Sequence, residues 1–342
     1  MQPSSFRASR AVFPARGVAG LLALTLALLL AGCSSQATEE PTGAAAVTSA
    51  TPTATEPPAT TVATATESTQ GTTTPIEEIP LVDATLTRDD VDCTLEFLSS
   101  GGGEDFADGF TSGHFVVDGV LGQSCIGEDD RLMRAWEWLR IVAEPADLEP
   151  LILLAGFDAP SDLLAYVEAL STADGGVAFQ MTVNLGEAER DDIELALTMA
   201  HELTHVFTGV PDQLDRGVDE SQCFTYFEGE GCYADDSYIA RWIEEFWGDW
   251  IEDIDPTNPD DDAAYDRCLV DPSFLGSYAA TNPEEDFAET FSAYVFSVPV
   301  EDPGLIAKYE FMDADPYLAA FKARIQAAGI EPLPNQFEGC GF

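Results

Sequence analysis

The sequence predicts an α+β domain, and three observations lead to that class. Two short apolar runs, Leu151–Phe157 and residues 177–185, are bounded by turn-forming residues and have the length of buried strands. Residues 191–207 form a much longer apolar stretch that opens on acids and stops at Gly209 and Pro211, as a buried helix does. Residues 283–294 start with a proline suited to a first helical turn and place Phe287, Phe291 and Tyr294 on one face.

The domain is expected to occupy residues 81–342. Residues 1–32 read as a targeting segment, with Arg7, Arg10 and Arg16 as a basic start and residues 18–30 as an apolar run too short to span a membrane. The tetrapeptide Leu30-Ala31-Gly32-Cys33 resembles the bacterial lipobox. That resemblance implies cleavage before Cys33 and a lipid on its sulfur, anchoring the mature protein outside the cell by acyl chains. An ordinary secreted protein cleaved nearby is the plainer alternative. From Cys33 to about residue 80 the chain is Thr, Ala, Pro, Ser and Glu with little large apolar surface, so a disordered tether is expected. The remaining ~260 residues suffice for one sizeable core.

The chain carries 14 basic and 62 acidic residues, a net charge of −48; without Arg7, Arg10 and Arg16 it is 11 against 62, or −51. Such a field argues against nucleic acid and against anionic lipid head groups as partners of the protein surface. It favours basic or neutral substrates, although adaptation to high salt or solubility explains it as well. The Asp-rich residues 253–262 lack the glycine spacing of an EF-hand and read as a solvated loop. With Cys33 set aside, six cysteines remain, and an even number in an exported domain implies three disulfides. Cys223 with Cys232 is the expected local pair, and Cys93 with Cys125 and Cys268 with Cys340 complete the set.

Taken in order, residues 83–127 read as loop-rich, broken at Gly101-Gly102-Gly103, with His114 a structural histidine among apolar neighbours. Residues 129–143 have helical periodicity through Leu132, Trp136, Leu139 and Ile141. After the strand Leu151–Phe157, Asp158-Ala159-Pro160-Ser161 reads as the start of a helix running to about Leu170. The strand at 177–185 follows the turn Asp174-Gly175-Gly176. Its place directly before the long helix suits a sheet edge that holds an extended peptide. Residues 237–254 read as one helix whose Trp242, Phe246 and Trp250 make a packing stripe or a cleft wall. Residues 303–309 and 316–328 read as closing helices.

The long helix carries His201-Glu202-Leu203-Thr204-His205. Residues four apart share a helix face, so both imidazoles can reach one ion, and Glu202 is placed to act as a general base beside it. This is the zinc-helix pattern. The chain has three histidines and two of them are here, on a helix apolar on nearly every side. A metal gives all three polar groups one reason to be buried. A tetrahedral catalytic site then lacks one protein ligand. Glu285 and Glu289 lie four apart on one face of the later helix, a like-charge pair costing roughly a few tenths of a kcal/mol on a bare helix. A cation between them and the histidines removes that conflict. The plainer reading is that these acids only start a helix, with Thr281 and Glu284 at capping-box spacing.

The two segments together resemble the gluzincin metallopeptidases, and among them the anthrax lethal factor-like peptidase core. The likeness lies in the zinc helix, in Gly276-Ser277-Tyr278, and in Asn282-Pro-Glu-Glu285-Asp-Phe-Ala-Glu289-Thr-Phe291. It covers about forty residues and implies a zincin-like fold with an active-site helix and a glutamate helix. It also implies Glu285 as third zinc ligand, with Glu289 the alternative. Glu289 would otherwise steady a ligating histidine, and Tyr278 would donate to the oxyanion. The segment between the zinc helix and residue 272 does not align, so toxin function does not carry over.

The expected activity is hydrolysis of peptide bonds outside the cell with one catalytic Zn²⁺, by Glu202-assisted attack of zinc-bound water on a peptide or protein substrate. The alternative is a non-catalytic extracytoplasmic binding lipoprotein with a structural or vestigial metal site.

Overall fold

A computed structural model describes residues 81–91, 110–160, 163–172, 175–256, 258–337 and 339–340. The targeting segment, Cys33, the tether, Cys93 and Gly101 to Gly103 lie outside the described residues. The fold is α+β. A five-stranded sheet is formed by β1 (Phe110–Val117), β2 (Val120–Ile126), β3 (Leu151–Phe157), β4 (Ala165–Ser171) and β5 (Val177–Asn184) in the order β2-β1-β3-β5-β4. β3 and β5 run parallel, and the other pairs are antiparallel.

The loop-rich reading of residues 83–127 is corrected by the β1–β2 hairpin. Its turn is Asp118-Gly119, with φ of 49° and 71°. Positive φ at both central residues matches the right-handed twist of the strands, and Asp-Gly is a favoured pair for such a turn. Gly119 is also required by space, because a Cβ there would meet the carbonyl of Pro145.

The helix expected after Asp158 is likewise overturned, since residues 165–171 form the edge strand β4. Asn184 explains part of this. Its side-chain amide donates to the carbonyls of Ala159 and Leu163, the groups that a first helical turn would need. Tyr166 and Val167 then suit a strand laid along β5. As a result β5, directly before the long helix, is an interior strand, and the sheet edge on this side belongs to β4.

One face of the sheet, through Leu154, Met181 and Val183, packs into the main core with the helices; the other carries Phe110, Leu153, Ala155, Phe157 and Tyr166. Against the first face lie α1 (Asp130–Val142) and α2 (Asp192–Thr208). Asp191 caps α2 by accepting from the backbone N–H of Ile193 at 2.8 Å. Arg134 of α1 clamps the carboxylate of Asp192 with two bonds of 2.8 and 2.7 Å. From Leu195 to Thr208 every residue of α2 except His205 is buried, and Gly209 closes the helix.

A small hairpin, β6 (Leu214–Asp215) and β7 (Cys232–Tyr233), follows, crossed by the Cys223–Cys232 disulfide. The single helix expected over 237–254 is broken. An α-helix, α3 (Tyr238–Trp242), passes into a π-turn over Ile243–Trp247 and a 3₁₀ turn over Ile251–Asp253. Next, α4 (Asp261–Val270) is capped by Asp260, the use the Asp-rich segment serves. The chain then forms α5 (Pro283–Val295), α6 (Pro303–Ala314) and α7 (Pro316–Ala327). The cap of α5 is Asn282, accepting from the N–H of Glu285 at 2.9 Å, in place of Thr281. Thr281 instead donates to the carbonyl of Tyr278. Cys268 and Cys340 are paired as expected. Cys125 is disulfide-bonded, and its expected partner Cys93 lies outside the described residues.

Candidate metal centre

The centre forms where α2 crosses α5. Phe207 at the end of α2 meets Phe287 and Phe291 of α5, with ring centroids 6.3 and 5.3 Å away, and Phe321 of α7 closes the cluster. This packing brings together side chains some eighty positions apart in sequence. His201 Nε2 and His205 Nε2 are 3.2 Å apart, and Glu285 Oε2 stands 3.1 Å from the first and 3.7 Å from the second.

That triangle has the size of a metal's ligand shell. Bonds of about 2.0–2.1 Å at tetrahedral angles put ligand atoms about 3.3–3.4 Å apart. The 3.1 Å contact to Glu285 Oε2 is not aligned as a hydrogen bond, and that oxygen is buried without one. The two ring nitrogens are within hydrogen-bond distance of each other, while the carboxylate oxygen that faces them has no hydrogen bond, an arrangement that a cation between the three would satisfy. Among the described residues His201, His205 and Glu285 thus form a group that could hold a metal ion. His201 is fully buried and His205 is partly open, so the centre is accessible from the His205 side.

The electrostatics agree. Burial works against a charge on His205, but the carboxylates of Glu285, Glu202 and Glu284 outweigh it and raise the imidazole to about 9. Burial works against the charge on Glu285 too, and the two imidazoles still push it down to about 2.

The other expected residues are all nearby. Glu202 is fully buried and acts electrostatically on both His205 and Tyr278. The ring of Tyr278 lies 6.1 Å from that of His201. Burial pushes its phenol well up, and the hydroxyl hydrogen-bonds Glu285. Glu289 is buried one turn beyond Glu285, within electrostatic reach of Tyr278. The Nδ1 atom of His201 makes no hydrogen bond to it or to any described residue. His114 is apart from the centre, in β1, with Nδ1 3.0 Å from the carbonyl of Gly122.

No protein-family model, curated protein or solved structure matches the chain. The centre therefore stands on its own residues.

Several residues around it were not legible in sequence. Glu228 faces His205 from the loop before β7, pushed up to about 7 by burial and by Glu230. Glu284, beside Glu285, is held well above the usual carboxylate range by burial and by Glu228. Glu284 reads in sequence only as a capping-box acid, and Glu228 belongs to no spaced motif; only the return of the β6–β7 hairpin over the end of α2 brings Glu228 here. A cavity of about 190 Å³ under the β1–β2 turn, lined by Trp136, Arg140 and Arg324 among others, contains none of these residues.

Proposed function

We propose that the chain is an extracytoplasmic zinc metallopeptidase of gluzincin type, lipid-anchored at Cys33 and hydrolysing peptide bonds of peptides or proteins. The observation that carries the reading is the His201–His205–Glu285 triangle with Glu202 buried beside it. Two imidazoles and one carboxylate form a donor set of catalytic zinc, leaving a position open for substrate. When bound there, the ion supplies a Lewis acid that polarises a carbonyl and lowers the pKa of water.

The chain's own groups do the rest. Glu202 accepts the proton of the attacking water and delivers it to the departing amine. Tyr278 donates its phenolic hydrogen to the developing oxyanion, leaving its present bond to Glu285. Glu289 supplies a buried carboxylate behind the ligand set. The open edge of β4, which runs alongside α2, offers backbone groups to an extended peptide. The acidic surface suits basic or neutral substrates.

The test compares the wild-type chain with Glu202→Gln, loaded with zinc, on a mixed peptide library. The variant should keep its metal and lose at least about 10²-fold in cleavage rate. Equal cleavage by both forms refutes the role of Glu202. Metal retained with no cleavage by either form points instead to a non-catalytic binding lipoprotein.

A further inference from the structure

We propose that Asp286 is a positioning residue for the metal centre: held by Lys308 and by the indole N–H groups of Trp242 and Trp247, it fixes the rotation of α5 so that Glu285 faces the two imidazoles. The inference rests on His201, His205 and Glu285 being metal ligands.

Asp286 follows Glu285 directly and is completely buried. Lys308 of α6 donates to Asp286 Oδ1 at 2.6 Å, and Trp242 and Trp247 each donate to Oδ2 at 2.8 Å. Lys308 is itself buried, donates to the carbonyl of Ser273 at 2.7 Å, and lies 4.4 Å from the ring centre of Phe274. One carboxylate thus ties α5 to α3, to the π-turn and to α6.

The π-turn has a reason in this arrangement. Residues five apart diverge on an α-helix, but a wider turn over residues 243–247 brings Trp247 back to the oxygen that Trp242 already engages. Single π-turns inside helices are frequent at functional sites. Lys308 is one of two lysines in a chain with 62 acidic residues, and it is used in the interior. A buried ion pair is seldom more stabilising than apolar side chains of the same volume, so stability alone does not account for this one.

Magnitude decides what the clamp can do. Successive residues on a helix point about 100° apart, so fixing Asp286 fixes the direction of Glu285. A carboxylate about 6 Å from the helix axis moves about 2 Å for a 20° rotation. Metal bonds tolerate roughly 0.2 Å. The cap at Asn282 sets where α5 begins, and the Asp286 clamp sets which way it faces.

The experiment uses the full-length chain in three forms: wild type, the pair Asp286→Leu with Lys308→Met, and Trp247→Phe. The pair removes both buried charges together and preserves volume; Trp247→Phe removes one donor and leaves a ring in place. Zn²⁺ affinity is measured by competition with a chromogenic chelator, coordination by the visible spectrum of the Co²⁺ form, and stability by the thermal midpoint without metal. The expected result is a loss of about 10- to 100-fold in Zn²⁺ affinity for the pair, with a weakened Co²⁺ spectrum, in a chain that still folds without metal but with a lowered midpoint, because Trp242, Trp247 and the carbonyl of Ser273 lose their partners. Trp247→Phe should shift affinity the same way by less, and it decides alone if the pair does not fold. Wild-type affinity and spectrum in the folded variants overturn the inference while leaving the metal centre intact. A wild-type chain that takes up no zinc overturns the metal centre itself, and the inference with it.

Discussion

Replacing Phe287 by alanine should destabilise the domain and loosen the metal centre together. Phe287 is fully buried on α5, two residues from Glu285 and two from Glu289. Its ring lies 5.2 Å from Trp242, 6.1 Å from Tyr238 and 6.3 Å from Phe207 at the end of the histidine helix. Truncating a buried phenylalanine costs about 3–5 kcal/mol, the transfer term plus the cavity left behind. In a domain of this size each kcal/mol moves the thermal midpoint by about 2–4 °C, so calorimetry with a chelator present should show a fall of about 6–20 °C. Zinc at a hundred times its dissociation constant should add about 2.7 kcal/mol to the wild type. At the same zinc concentration the increment should be smaller in the variant, because His201, His205 and Glu285 ride on two helices that this ring packs together. A loss below about 1 kcal/mol, or an undiminished zinc increment, refutes the argument that aromatic packing between α2 and α5 sets the ligand triangle.

Zinc uptake at pH 7 should release about one proton, since His205 is held up to about 9 without metal and must be neutral to ligate. Titration calorimetry in buffers of different ionisation enthalpy reads this number, and a value of zero contradicts it. The Cys268–Cys340 disulfide closes a loop of sequence separation 72 and Cys223–Cys232 one of 9. Loop-closure entropy then makes the first worth about 4.4 kcal/mol and the second about 2.7 kcal/mol, so denaturant unfolding of the two Cys→Ala double variants should rank them in that order. Asp129→Ala should cost about 1 kcal/mol at pH 7, because Asp129 caps α1. Its folded pKa is lowered by the hydrogen bond from Arg131 against the effect of burial. The stability it contributes is present above the unfolded value and lost as pH falls through the folded one. The gap between wild type and Asp129→Ala should therefore close below about pH 4.

Local signals were strong where physics is local. The bounds of Leu151–Phe157, the long helix with its acidic start at Asp191 or Asp192 and its stop at Gly209, and the helices beginning at Pro303 and Pro316 were readable from apolar period and capping residues, while the structure settles Asp191 as the cap. Asp118-Gly119 is a hairpin signal of the same local kind, set within a segment whose composition otherwise reads as loop. The helix expected at 158–170 failed because Asn184, some twenty residues away, competes for the same carbonyls. The helix at 237–254 failed because its aromatic period omits Asp286, which draws Trp242 and Trp247 to one oxygen.

The pairing of His201 with His205 was legible in the sequence alone, because four-residue spacing on a helix fixes their shared face before anything else folds, and Glu202 is set beside it as the next residue along. The choice of Glu285 to join them was decided by tertiary structure. Glu285 and Glu289 share a face and a chemistry, and only the crossing of α5 over α2 puts one of them 3.1 Å from His201. The same holds for the environment that gives these groups their chemistry. Burial, the approach of Glu228 and Glu284, and the clamp on Asp286 are distances between remote segments, which composition and periodicity do not encode.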